Sequence, residues 1–189
     1  MGKEIQRKSD LIAATLREIG AKGTLNVTVG QIAKRAGVSP GLAFHYFGDK
    51  EKLFLAAMRS ILTGFRREVV EALKGASGSR ARIEAVLQVS FAKSHFEEGA
   101  VAAWLNFYVL AQTSAEAQRL LTIYHRRFNS TLLHDLRPLA GARAEAAAER
   151  IAGLVDGLYL RFALDRTSVD SAPAIAQVMA ALDIELSAK

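Results

Sequence analysis

The chain has 189 residues, of which half are hydrophobic and 23% are charged, the balance of a folded protein with ample core material. It has no cysteine, so disulfides, thiolate metal sites and cysteine nucleophiles are excluded, which fits a cytoplasmic protein. The N-terminus lacks an apolar signal segment, and the most apolar stretch, residues 100–111, is shorter than the about 20 residues that span a bilayer, so we expect no membrane partner.

The net charge is +6, and most of the excess lies in the first quarter of the chain. Residues 1–52 contain nine Lys or Arg and five Asp or Glu, a difference of +4. A basic segment attracts polyanions, so this distribution favours a nucleic-acid partner.

Helical periodicity runs through almost the whole chain, and the only alternating stretch, residues 23–29, is too short for more than a connector. The pattern predicts an all-α protein of about nine helices. The first helix is expected over residues 5–21 and ends at Gly23. Thr28 is a good N-cap for a short second helix, which Gly37 ends.

Two further caps begin the next two helices. Ser39 caps a third helix with Pro40 at its first position, where the missing N–H does no harm. Asp49 caps a fourth, longer helix that reaches about residue 73 and is followed by a linker at residues 75–79. The remaining helices are expected at residues 80–97, 100–112, 114–136, 141–165 and 172–187.

The second and third helices form a helix-turn-helix inside a small basic head, residues 1–52, which precedes a larger helical body, residues 53–189. Gly37 permits the positive backbone angle of the turn. The apolar residues expected to form the shared core are Ile32, Ala33, Val38, Ala43 and Phe47. Rings occupy all four positions from 44 to 47, and so short a helix cannot bury them all.

A helix-turn-helix places its second helix in the major groove of DNA, where the N-terminal end meets base edges. Gly41 lets the backbone approach closely, and Lys50 can hold a phosphate together with the first amides of the fourth helix. His45 and Tyr46 can donate hydrogen bonds to phosphate oxygens. The residues that we expect to contact DNA are Thr28, Ser39, Pro40, Gly41, Leu42, Phe44, His45, Tyr46 and Lys50. The alternative is that the rings belong to an ordinary helical core, which we favour only for Phe47.

The pattern T-V-x-x-I-A-x-x-A-G-V-S-x-G-x-x-x-x-Y-F-x-x-K-E-x-L, from Thr28 to Leu53, closely resembles the TetR family of bacterial repressors. The layout of the whole chain is similar too, with a three-helix head, a connecting fourth helix and a larger body. The resemblance implies that the head binds DNA and that the body binds a ligand and forms a dimer. The chain departs from the family at Phe44, where many members have a tyrosine.

The last two predicted helices each carry one apolar stripe, with side chains at offsets 0, 3, 4, 7 and 11. The stripes are Ile151, Leu154, Val155, Leu158 and Phe162, and Ile175, Val178, Met179, Leu182 and Leu186. Both could face the chain's own core. The TetR resemblance implies instead that they pair with the same helices of a second subunit, and such a homodimer would bind a palindromic operator.

Aromatic residues are frequent in the body, and an aromatic box holds a quaternary ammonium group over its ring faces. Trp104 and Tyr108, four residues apart, share a helix face. The residues expected to line such a box are Phe91, Trp104, Tyr108, Tyr124, Asp156 and Tyr159, with the carboxylate adding charge complementarity. The alternative for each ring is plain core packing.

Four short stretches carry a narrower resemblance, to the BetI-type choline-responsive repressors. They are HYFGDK at residues 45–50, AWLNFY at 103–108, HRRF at 125–128 and VDGLYLR at 155–161. The resemblance implies a small-molecule effector such as choline or a related quaternary amine. Tyr108 and Tyr159 stand where the BetI-type pattern tends to have tryptophan, so rings are retained.

Enzymatic function is not expected. The four histidines lack metal spacing, no P-loop or zinc-protease motif occurs, and the serines at residues 77 and 79 lack a nucleophile context. We therefore predict no catalytic residue, no metal and no cofactor. Two alternatives stay open, a sequence-tolerant DNA-binding protein and a helical interaction protein without ligand control.

Overall fold

The computed structural model describes residues 2–165 and 170–187. Over these residues the chain forms helices and turns without any strand, which confirms the predicted all-α class. None of the described helices is both long and apolar enough to span a membrane. The α-helices are α1 (Gly2–Lys22), α2 (Val29–Arg35), α3 (Pro40–Phe47), α4 (Lys50–Lys74), α5 (Ser79–Ser90), α6 (Glu98–Leu110), α7 (Ala115–Ala140), α8 (Ala144–Leu164) and α9 (Ala172–Ser187). Two 3-10 helices, Lys93–Phe96 and Gly141–Arg143, precede α6 and α8.

The predicted end of α1 and the predicted bounds of α2 are confirmed, and each has a local cause, whereas α1 begins at Gly2, three residues before the predicted start. Gly23 ends α1 with a φ of 67°, and its amide donates to the Ile19 carbonyl at 2.7 Å. Thr28 caps α2 through a capping box. Its hydroxyl accepts from the Gln31 amide at 3.1 Å, and the Gln31 side chain accepts from the Thr28 amide at 2.8 Å.

Ser39 and Asp49 cap α3 and α4 as predicted. The Ser39 hydroxyl accepts from the Leu42 amide at 3.2 Å, and Pro40 is the first residue of α3. The Asp49 carboxylate accepts from the Lys52 amide at 2.8 Å. An isolated helix of eight residues such as α3 is unstable in water, so its cap and its packing hold it in place together.

Two helix ends in the body differ from the prediction. The helix expected over residues 80–97 stops at Ser90, because the Phe91 amide bonds to the Gln88 carbonyl and tightens the last turn. The helix expected to end near residue 136 continues through Pro138 to Ala140. Ala140 is buried, so packing of the last turn outweighs the hydrogen bond lost at the proline.

The chain divides into two compact units, and the first comprises the residues up to Gly64 together with Glu97–Leu121. In this unit α1 packs on both α2 and α6. A Cβ atom at Gly99 would lie 3.0 Å from the Leu16 carbonyl oxygen, so the close approach of α6 to α1 requires glycine there. The predicted boundary at residue 52 divides a DNA-binding region from a region for ligand binding and dimerisation. This functional division stays a prediction.

Asn106 on α6 holds the loop between α1 and α2. Its side-chain oxygen accepts from the Leu25 amide at 3.1 Å, and its side-chain nitrogen donates to the Gly23 carbonyl at 3.2 Å. The Leu25 carbonyl in turn accepts from Lys50 Nζ at 3.1 Å. The loop is therefore bonded both to α6 and to the first residue of α4.

The second unit comprises Phe65–Phe96 and the described residues from Thr122 onward. Its core consists of the apolar faces of α5, α7, α8 and α9. Asp135 is 4% exposed, and its two carboxylate oxygens lie 3.0 and 3.1 Å from the Arg82 Nε, which offsets the cost of burying the charge. Arg150 and Glu185 form a two-point ion pair between α8 and α9 at 2.5 and 2.6 Å.

Candidate DNA-binding surface and aromatic clusters

A tight turn joins α2 to α3 and sets the direction of α3. Gly37 has a φ of 68°, which the turn needs, and the Val38 amide donates to the Ala33 carbonyl at 3.0 Å. Ala33 and Ala43 are buried, but Val38 and Phe47 are only half-buried. The fully buried part of the predicted shared core is therefore smaller than expected, and Phe47 lies at its edge.

The surface of α3 carries most of the residues that we expect to contact DNA. Ser39, Pro40, Gly41, Phe44 and His45 are exposed, and Leu42 and Tyr46 are half-buried. Phe44 is 49% exposed, a large value for an apolar ring in a folded chain. A Cβ atom at Gly41 would meet nothing within 4 Å, so the backbone is open to close approach from this side. Contact with DNA by these residues stays a prediction.

Thr28 and Lys50 stand at the starts of α2 and α4, and both are exposed. Lys50 Nζ donates to the Leu25 carbonyl, and an ammonium group keeps two further N–H donors for a phosphate. The amides of α4 are less available than the sequence suggests, because the Asp49 carboxylate already accepts from the Lys52 amide. That bond holds the pKa of Asp49 below its usual value.

Lys8 on α1 lies against α3, a contact that the sequence did not predict. Its Nζ lies 5.1 Å from the centroid of the Tyr46 ring, and the His45 ring lies 5.5 Å from that ring on its own helix. The contact depends on how α1 crosses α3 in the folded head, so no local sequence pattern could have indicated it.

In the first unit, Trp104 and Tyr108 form the ring pair that their spacing predicts, with centroids 5.8 Å apart and planes at 31°. Trp104 also lies edge-on to Phe107 at 5.9 Å, and Phe107 lies 6.5 Å from Phe54. Trp104 is 8% exposed and Phe107 is fully buried, so these two rings are core residues, whereas Tyr108 is half-buried.

In the second unit, rings from α4, α7, α8, the 3-10 helix before α6 and the residue that follows α5 form a larger group. We call it the body cluster, and its members are Phe65, Phe91, His95, Phe96, Tyr124, Phe128 and Tyr159. Neighbouring ring centroids are 5.1–6.4 Å apart, the range of stacked and edge-to-face pairs. Phe91 is 1% exposed, so this predicted lining residue is part of the core.

One hydrogen bond joins two members of the body cluster, and a second connects the cluster to α4. The Tyr159 hydroxyl donates to the His95 carbonyl at 2.8 Å, and His95 Nε2 lies 3.1 Å from Glu68 Oε2 on α4. In the described part of the chain, no set of three histidine or carboxylate side chains is arranged to hold a metal ion. The cluster is a group of buried and half-buried rings with a few polar groups beside them.

Asp156 on α8 is the predicted carboxylate of the aromatic box, and it is half-buried. Burial raises the pKa of Asp156, and attraction to His125, whose Nε2 lies 3.8 Å away, opposes that rise. Of the six predicted lining residues, Trp104 and Tyr108 belong to the first unit and the other four to the second. Phe65 was not among the aromatic residues singled out from the sequence, because only the packing of several elements brings it to the cluster.

The two apolar stripes are partly used within the chain itself. The buried members, which lie in the core of the second unit, are Ile151, Val155, Leu158, Val178 and Leu182. The half-buried members are Leu154, Phe162, Ile175, Met179 and Leu186. Leu164 and Ile184, which neither stripe includes, are 62% and 70% exposed. The half-buried members and the side chains of Leu164 and Ile184 thus leave apolar surface exposed on α8 and α9, and pairing with a second subunit stays a prediction.

Comparison with known proteins finds two family models that match different parts of the chain. Residues 11–57 match the model for bacterial regulatory proteins of the tetR family. Residues 79–187 match the model for the C-terminal part of BetI-type transcriptional repressors.

Among curated proteins, the chain is similar to the HTH-type transcriptional regulators BetI. It is 47% identical to that of Brucella suis biovar 1 (strain 1330) over 188 residues, covering 99% of this chain and 95% of the relative. It is 48% identical to that of Rhizobium meliloti (strain 1021) over 177 residues, covering 93% and 87%.

Two solved structures have the same fold. A transcriptional regulator from Pseudomonas aeruginosa PAO1 aligns with a TM-score of 0.84 at 28% identity, covering 96% of this chain and 91% of that one. A transcriptional regulator from Saccharomonospora viridis, solved in complex with choline, aligns with a TM-score of 0.83 at 17% identity, covering 93% and 95%.

Proposed function

The chain belongs to the TetR family and has a BetI-type C-terminal region, and from this premise we propose a homodimeric repressor that choline or a related quaternary amine releases from DNA. Transcriptional regulation through DNA binding is the function of this family. The dimer, the operator contacts, the effector and a cytoplasmic location are the proposal. A sequence-tolerant binder or an interaction protein without ligand control is not favoured, because the family resemblance covers the body as well as the head.

The exposed surface of α3 is the observation that carries the DNA part of the proposal. A cap at Ser39 and a positive-φ glycine at Gly37 fix a short helix whose rings and open glycine face solvent. Such a helix can enter a major groove with its N-terminal end toward the base edges, while Lys50 and Tyr46 bind phosphates at its flanks.

One α3 contacts only a few base pairs, so a two-fold dimer on a palindrome supplies the affinity and specificity that one head lacks. The half-buried stripe residues of α8 and α9, with Leu164 and Ile184, support pairing of these helices with a second copy. The five fully buried stripe residues support this pairing indirectly, because they pack the two helices on the core of their own subunit.

The half-buried rings of the body cluster and Asp156 support the effector part of the proposal. Tyr124 and Tyr159 offer ring faces, and Asp156 offers a carboxylate whose charged form is disfavoured by burial until a cation neutralises it. A protein of the same fold was solved with choline, which supports the ligand class. Trp104 and Tyr108 stay proposed effector contacts.

The effector acts by preferring one conformation. Choline releases DNA only to the extent that it binds the conformation with misaligned heads more tightly than the operator-bound conformation. A modest change in the separation of the two heads is enough, because one half-site is then out of register.

The test is a fluorescence-anisotropy titration of the protein on a labelled duplex from upstream of its own gene, with a scrambled duplex as the reference. We expect much tighter binding to the upstream duplex and a higher Kd when choline is added. Ethanolamine, which lacks the three methyl groups, is the matched control and should have little effect.

Thermal denaturation gives an independent test of the ligand. Choline at 100 times its Kd should add about 2.7 kcal/mol to the free energy of unfolding, and so raise the melting temperature by several degrees. Equal binding to both duplexes would refute the repressor. Operator binding that neither choline nor glycine betaine weakens would refute the effector alone.

A further inference from the structure

The first turns of α1 lie outside the helix-turn-helix and yet reach α3. Residues 2–10 precede the stretch that matches the tetR-family model, which begins at residue 11. This segment is largely exposed, and Ile5 is 65% exposed although it is apolar. From this segment, Lys8 lies over the ring of Tyr46 on α3.

The position of Lys8 is fixed from two sides. Its Nζ is 2.7 Å from Glu4 Oε1, one turn earlier on the same helix, and 5.1 Å from the centroid of the Tyr46 ring. An ammonium group within about 6 Å of a ring centroid is attracted to the ring face. The hydrogen bond from Lys8 lowers the pKa of Glu4, and the charge of His45 on α3 adds to that lowering. Glu4, Lys8, His45 and Tyr46 therefore form one local group.

This group stands beside a residue that we expect to bind phosphate, and it carries a cation that remains accessible. The Lys8 side chain is 42% exposed. Its ammonium group has three donors, of which Glu4 uses one. A duplex seated on α3 would bring a phosphate to Tyr46, and the same phosphate or its neighbour would then lie near Lys8.

We infer that Lys8 is an additional DNA-contact residue, which fixes the ring of Tyr46 in place and binds the operator backbone beside it. Glu4 opposes this contact, because its carboxylate competes with the phosphate for the ammonium group and repels the duplex. The DNA-binding surface thus extends from the helix-turn-helix onto the first turns of α1. This inference rests on the proposed operator binding.

The alternative is that Lys8 and Glu4 form an ordinary solvated pair four residues apart, which contributes little. The two cases differ in the salt dependence of binding. Each phosphate contact contributes about 0.9 to the slope of log K against log salt concentration on double-stranded DNA. Loss of one contact in each of two heads therefore lowers the slope by about 1.8.

The experiment measures operator affinity of the full-length dimer from 50 to 200 mM KCl for the wild type, K8M, K8R and E4Q. K8M keeps the apolar stem and removes the charge. The affinity of K8M should fall less steeply with salt than that of the wild type. Between 50 and 200 mM KCl, the loss of affinity should be roughly 12-fold smaller for K8M than for the wild type. K8R should keep the slope of the wild type, and E4Q should bind more tightly than the wild type.

Lys74 provides the matched control. It pairs with Glu71 at 2.6 Å, in an exposed i,i+3 pair at the far end of α4. K74M should leave both affinity and slope unchanged, which separates a contact from a change in net charge. Melting temperatures of all variants should agree within a few degrees, because the exchanged side chains are surface residues.

A K8M slope equal to that of the wild type overturns the inference, as does an E4Q variant that binds no more tightly. These results leave the proposed function intact, because the wild type still binds its operator. A wild type without operator preference would instead refute the proposed function, and the role of Lys8 would fail with it.

Discussion

Tyr159 provides a sharp test of the body cluster, because its ring and its hydroxyl have separable roles. The ring lies 5.1 Å from Phe96, and the hydroxyl donates to the His95 carbonyl at 2.8 Å. Tyr159→Phe removes the hydroxyl, and with it the bond to the His95 carbonyl, and keeps the ring. Tyr159→Ala removes the bond and the ring face that we propose for the effector.

The magnitudes follow from these contacts. Loss of one partly buried hydrogen bond costs about 0.5–1.5 kcal/mol, and for a chain of this size about 1 kcal/mol corresponds to a melting temperature lower by about 2–4 °C. Tyr159→Phe should therefore melt a few degrees lower and bind choline as the wild type does. A ring face contributes about 0.5–2 kcal/mol to a bound cation, so Tyr159→Ala should weaken choline binding by about 2- to 30-fold.

Differential scanning fluorimetry measures the first effect, and isothermal titration calorimetry with choline measures the second. Tyr46→Phe, a change of the same chemistry on α3, should leave choline affinity unchanged and serves as the control. If Tyr159→Phe loses as much choline affinity as Tyr159→Ala, the effector does not use the ring face, and the reasoning is wrong.

Three further predictions address the surface of the head and the carboxylate of Asp156. Lys50→Ala should lower the salt slope of operator binding by about 1 for each subunit, on random DNA as well, and an unchanged slope would exclude a phosphate contact. Gly41→Ala should stabilise α3 by up to about 1 kcal/mol, because glycine is unfavourable inside a helix and the added Cβ meets nothing. The same variant should bind the operator more weakly. Thermal melts measure the first effect, and anisotropy measures the second. Asp156→Asn should weaken choline binding. Because burial raises the pKa of Asp156 above its unfolded value, the favourable contribution of the protonated group is present at low pH and is lost as the pH rises through the folded pKa. The variant should thus melt higher than the wild type at neutral pH, and the gap should close near pH 3; a variant that melts lower at neutral pH would contradict this sign.

The head could be predicted from the sequence in detail, because its boundaries depend on neighbouring residues. Thr28, Ser39 and Asp49 cap their helices through bonds to amides three residues ahead, and Gly23 and Gly37 adopt positive φ values that the turns need. Such interactions involve residues close together in the chain, so they can be predicted without knowledge of the rest of the fold.

The body was harder to predict from the sequence, because the positions of its side chains depend on packing between elements that are distant in the chain. The periodic stripes of α8 and α9 correctly indicated buried faces, but periodicity does not say whether the same chain or a second subunit covers them. Ile151 and Val178 are covered by their own subunit. The early end of α5 at Ser90 and the place of Phe65 in the cluster likewise depend on tertiary contacts that no local pattern contains.

The amide side chain of Asn106 has a mechanical consequence for the head. It bonds to the loop whose Leu25 carbonyl accepts from the Lys50 ammonium group, so three hydrogen bonds connect α6, the loop and the start of α4. Such a bond is lost when the donor and acceptor move beyond about 3.5 Å, so a sub-ångström shift of α6 either moves the loop with it or breaks the bonds from Asn106. A shift of α6 would therefore alter the support of Lys50, and, if Lys50 binds the DNA backbone as we propose, it would weaken operator binding.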